Sequence, residues 1–86
     1  MWLKVEIAGK ALHPNEVVVA IKTPTAQERV VVHKRALLNN AIEIGYPISE
    51  QDDLYLIELP RETMSGLWRV WVPRAQVIQQ SQKRSA

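Results

Sequence analysis

The stretch LWRVWVPRAQV, residues 67–77, decides how this chain is read. Valines and tryptophans alternate around an arginine, and a proline then stops the run. Side chains on a β-strand point alternately to its two faces, so Trp68 and Trp71 face opposite ways and only one can enter the core. The preceding run LYLIEL (54–59) reads as the partner strand, and PRETMSG (60–66) between them is too long for a two-residue hairpin. Glu58 and Arg69 fix the faces, because burying a lone charge is expensive. With both turned outward, Tyr55, Ile57 and Leu59 point inward on one strand, and Trp68, Val70 and Val72 on the other. Leu54, Leu56, Glu58, Leu67, Arg69 and Trp71 remain outside, an apolar patch around a Glu–Arg pair.

The remainder of the chain reads the same way. Valine and isoleucine supply 17 residues, and β-branched side chains favour pleated surface over helix. WLKVEIA (2–8) alternates, with Leu3, Val5 and Ile7 on the inner side. HPNE (13–16) is turn chemistry, and EVVVAIK turns Val17, Val19 and Ile21 inward. Val18 and Val31, like Trp2, fall on outward positions. RVVV (29–32) reads as a third strand followed by a short turn at KRALL. Thr25 and Glu28 also fit a capping box for a helix over 26–38, which three consecutive valines oppose. AIEI (41–44) suggests a fourth strand and SEQDD (49–53) a polar loop. Pro73 opens a helical turn through RAQVIQQ. No internal repeat is visible. The expectation is a single all-β domain over residues 1–80 with minor helical turns, then a flexible tail at 81–86.

Residues 66–78, GLWRVWVPRAQVI, resemble the last part of an SH3-like small barrel. In that superfamily a glycine after the distal turn leads an alternating strand, and a proline opens a one-turn 3₁₀ helix before a final short strand. Gly66, Trp68, Val70, Pro73 and Val77 match. The resemblance implies a barrel of five to six mostly antiparallel strands used as an interaction or nucleic-acid module. The adjacent tryptophans and the tyrosine-rich motif of proline-peptide-binding SH3 domains are missing, so polyproline recognition is not carried over.

The residue inventory leaves little for chemistry. Cysteine is absent, which removes disulfides and thiolate sites. The three glycines cannot build a phosphate-cradling loop. His13, His33 and Asp52 fit no metal-ligand spacing, and Thr63 and Ser65 lie in a turn with no histidine within sequence reach. Neither an enzyme nor a cofactor-binding protein is expected. No apolar run is long enough to span a membrane, and the lysine and glutamate near the N-terminus spoil a signal-peptide core, so a cytoplasmic location is expected. Charge is uneven: +3 over residues 1–40, −5 over 41–60 and +4 over 61–86.

Three readings of the outward face follow. Other segments of the chain, KRALL or the C-terminal turn, cover it; or a protein partner or a second copy binds it around Trp71; or nucleobases stack on Trp71 while Arg69 and Arg74 hold phosphates. The expected function is a non-catalytic interaction module, with nucleic-acid binding the alternative. Trp71, Arg69, Leu67, Leu54, Leu56 and Glu58 are the candidate partner-binding residues.

Overall fold

The structure, a computed structural model, describes residues 1–78; the tail expected at 81–86 lies outside the described residues. The chain is all-β. The strands are β1 (Trp2–Lys4), β2 (Glu6–Lys10), β3 (Glu16–Lys22), β4 (Gln27–His33), β5 (Leu37–Leu38), β6 (Ala41–Glu43), β7 (Ser49–Gln51), β8 (Leu54–Glu58), β9 (Arg69–Pro73) and β10 (Val77–Ile78). One-turn 3₁₀ helices, Lys34–Ala36 and Arg74–Gln76, precede β5 and β10. The strands form three antiparallel sheets, in the orders β10-β1-β6-β5, β2-β3-β4 and β7-β8-β9. The barrel implied by the SH3-like resemblance is therefore not closed, although Pro73, its 3₁₀ turn and the last strand follow the implied local pattern. Among the described residues no helix is long and apolar enough to cross a membrane.

The chain folds as two equivalent halves, a repeat that its sequence conceals. Leu3 pairs with Ile42 at the centre of the β1–β6 ladder, and a pseudo-twofold through that pair exchanges residues 1–39 with 40–78. The pairing of β10 with β1 (Leu3 with Val77) repeats in that of β5 with β6 (Ile42 with Leu37). The amide of Val5 donates to the Asn40 carbonyl and that of Ile44 to the Met1 carbonyl, each at 2.8–2.9 Å. The amides of Lys34 and Arg74 likewise donate to the carbonyls of Asn15 and Asp53. Each half thus lends its last strand to the other half's first. The junction is a two-residue hairpin, Asn39-Asn40, with both φ positive, a conformation asparagine tolerates better than most residues.

The core obeys the same symmetry. Leu3, Val5, Val19, Ile21, Val30 and Val32 are buried, and so are their counterparts Ile42, Ile44, Ile57, Leu59, Val70 and Val72, all in one cluster. Val17 is matched by Tyr55, which is half-buried against that cluster.

Three expectations need correction. WLKVEIA is not one strand. It breaks at Val5, where the chain passes between sheets, and Ile7 stands opposite Val19 at the rim of an edge strand, 58% exposed. SEQDD is not a loop: Ser49–Gln51 pairs with β8 through a tight turn in which Asp52 is left-handed. The strand reading of residues 26–38 holds, as β4, a 3₁₀ turn and β5, and the competing capping-box helix does not form, because the valines serve both the core and the ladder. Trp68 is not in the core and is 52% exposed. It lies beyond the first residue of β9, and its counterpart is Glu28, opposite buried Ile21. At that rung each half fills the core from one strand, with Ile21 or Leu59, while Trp68 is exposed and Glu28 is half-buried outside the core.

Candidate functional site

The register places the outward residues of the second half on one face. Leu56 stands opposite Trp71, Glu58 opposite Arg69, and Leu54 opposite Pro73. Leu54, Leu56 and Trp71 are half-buried, whereas Glu58, Leu67 and Arg69 are exposed. Leu54, Leu67, Arg69 and Trp71 line a groove of about 340 Å³, walled on its far side by Thr23, Pro24 and Thr25 of the β3–β4 turn. Leu56 and Glu58 share the face but lie outside this groove, and Glu58 lines a different cleft. The ion pairs of the described residues lie elsewhere, so Glu58 and Arg69 face one another without closing a salt bridge. The partial wall is therefore the 23–25 turn; KRALL and the C-terminal turn belong to the four-stranded sheet instead.

The first half shows what normally fills such a groove. Its equivalents of Leu54, Leu56, Arg69 and Trp71 are Glu16, Val18, Arg29 and Val31. The β8–β9 connection crosses to this side of the molecule. Arg61 pairs with Glu16 at 3.0 Å, the Met64 amide donates to the Arg29 carbonyl at 2.7 Å, and the Ser65 hydroxyl donates to Glu28 at 2.5 Å. β4 is an edge strand, so the Met64 bond extends its sheet by one rung. Val18 is buried where Leu56 is only half-buried.

Both connections use the same local device. The Thr23 hydroxyl accepts the Ala26 amide, and the Thr63 hydroxyl accepts the Leu67 amide. Counterparts are 38 residues apart before these connections and 40 apart after them, so the second is two residues longer. It reaches the opposite half. The shorter one stops at the groove wall.

The constellation proposed for nucleic acid does not assemble. Arg74 is paired with Glu50 and stacks over Tyr55, 4.9 Å from the ring centroid. Tyr55 and Leu56 point to opposite faces of β8, so Arg74 lies across the sheet from Trp71. The histidines do turn chemistry: Nδ1 of His13 accepts the Asn15 amide, and Nδ1 of His33 accepts the Arg35 amide. No group of three or more histidine, aspartate or glutamate side chains suited to a metal ion occurs among the described residues.

No family model, curated protein or solved structure matches this chain. The reading of the groove therefore rests on its own geometry.

Sequence reasoning missed the wall of the groove, because Thr23–Thr25 sit 29 or more positions from Leu54 and carry no marker of contact. The structure pairs VVVHKRALL (30–38) with VWVPRAQVI (70–78), aligning β-strand, 3₁₀ turn and β-strand without a gap, a correspondence the sequence reading passed over.

Proposed function

We propose that this chain is a non-catalytic interaction module that holds an extended segment of a protein partner in the groove beside Trp71. One observation carries the reading: the equivalent surface of the first half is already occupied by a polypeptide segment, residues 61–65 of the chain itself. That segment anchors one backbone amide on the edge strand and lays side chains along the outer face. β9 is likewise the edge of its sheet, and edge strands accept added segments through main-chain hydrogen bonds while pockets beside them select side chains. Leu54 replaces Glu16, so the partner's side chain at that point is apolar where the chain's own is Arg61. Trp71, Leu54 and Leu67 provide the apolar floor and Arg69 a charged rim, the composition of an interface centre.

The test is a displayed library of random peptides selected against the full chain, with the enriched peptides followed by amide and indole chemical shifts. Binders with an apolar anchor should perturb Trp71, Leu54 and Arg69, and Trp71→Ala should weaken them about thirtyfold or more, as loss of an anchor worth about 2 kcal/mol does. Peptides that bind equally well to the Trp71→Ala variant would overturn the assignment.

A further inference from the structure

We infer that a second copy of this chain binds the first, half against opposite half, through two equivalent clefts of opposite charge. This does not rest on the Trp71 groove, which is lined by other residues, although Glu58 stands opposite Arg69 at its edge. Residues 1–39 hold six basic and three acidic side chains, net +3, and residues 40–78 hold three and six, net −3. The pseudo-twofold thus relates two halves of like shape and opposite sign. The contrast concentrates at one pair of sites. The first half has a cleft of about 180 Å³ lined by Lys4, Val5, Glu6, Ala20 and Lys22, together with Gln76 of the second half. The counterparts of those five residues are Glu43, Ile44, Gly45, Glu58 and Pro60, and all five line a second cleft, of about 500 Å³.

In the basic cleft Lys4 and Lys22 outnumber Glu6; the acidic cleft has Glu43 and Glu58 and no basic residue. All these charged side chains are exposed, and none takes part in the ion pairs of the described residues. Opposite charges inside one molecule could have neutralised each other, yet Lys4 and Glu43, diagonal neighbours on the outer face of the β1–β6 ladder, close no ion pair. A second copy turned half against half brings each cleft to its complement.

Charge alone steers and orients such an encounter more than it holds it. The clefts also offer apolar surface. Tyr46 and Ile48, 84% and 44% exposed, line the acidic cleft, and Ile7, the counterpart of Tyr46, follows Glu6 on the other half. A contact that brings each cleft to its complement is isologous about a twofold axis, so each copy presents both clefts to the other.

Sedimentation equilibrium of the full chain tests this. Self-association is expected at low salt and should weaken about tenfold or more between roughly 20 and 500 mM salt, as the charges are screened. Lys4→Glu with Lys22→Glu makes both clefts acidic, and Glu43→Lys with Glu58→Lys makes both basic. Each variant alone should be monomeric, and an equimolar mixture should associate again. Trp71→Ala should leave self-association intact. A wild type that stays monomeric at several hundred micromolar and low salt would overturn the inference. So would variants that associate as the wild type does, or a mixture of folded variants that stays monomeric. If charge reversal disturbs folding, the glutamine variants at the same four positions should still weaken association, and unchanged association would count against it.

Discussion

The two connections that join equivalent strands, residues 23–26 in the first half and 61–66 in the second, do different work with nearly the same design. Each is closed by a threonine hydroxyl that accepts a backbone amide. The longer one crosses to the other half and fixes itself there through Arg61, Met64 and Ser65. Its threonine is consequently buried, with 4% of Thr63 exposed, while Thr23 is half-buried. The shorter one leaves the groove beside Trp71. A small difference in loop length therefore converts one of two equivalent surfaces into interior and leaves the other available. Near-symmetric folds gain distinct surfaces this way without altering their core.

The largest expected effect tests the symmetry itself. Leu3 and Ile42 are buried counterparts that face each other across the β1–β6 ladder. Leu3→Ala and Ile42→Ala should each destabilise the chain by about 2–5 kcal/mol, the usual range for emptying a core position. Because each half lends a strand to the other, both variants should unfold in a single transition in urea melts. Two separate transitions, or a marked loss from only one substitution, would show that the halves do not share one core.

The next effect sharpens the contrast between the connections. Thr63→Val removes the acceptor of the Leu67 amide inside a buried turn, which should cost about 1–3 kcal/mol. Thr23→Val removes the equivalent bond at a more exposed site and should cost less, because water replaces the lost partner. Thermal melts of the two variants compare them directly. Equal losses would mean that crossing to the other half gives the longer connection no extra anchorage.

Alternation and β-branching made the class of the fold legible, along with the inward set Leu3, Val5, Val17, Val19, Ile21, Ile57, Leu59, Val70 and Val72. These residues obey a period-two rule that needs no tertiary information. The outward face of β8 and β9 was legible for the same reason, since charges at Glu58 and Arg69 anchored the assignment. Three-dimensional closure was not. Strand exchange between halves depends on which edge each short strand meets, and two-residue strands such as Leu37–Leu38 carry no periodic signal. The repeat was concealed because counterparts share backbone position rather than side-chain chemistry: Val17 answers Tyr55, Ala20 answers Glu58, and Glu16 answers Leu54.

Trp68 gives the smallest expected effect. The alternation rule assigns it to the core beside Val70 and Val72, where truncation to alanine would cost about 3–5 kcal/mol. Its backbone does keep register, since the Trp68 carbonyl accepts the Leu59 amide at 2.8 Å. The side chain is nevertheless half exposed, because Leu59 alone fills the core at this last rung. Glu28 at the equivalent position also points away from the core, towards the Ser65 hydroxyl that donates to it. Trp68→Ala should therefore change stability by no more than about 0.5 kcal/mol, as surface substitutions usually do. Urea melts check the magnitude, and acrylamide quenching of the wild type and the variant should show that the lost emission came from an accessible ring. A loss of several kcal/mol would put Trp68 back in the core. The second half would then bury more at this rung than the first, and the equivalence of the halves would end there.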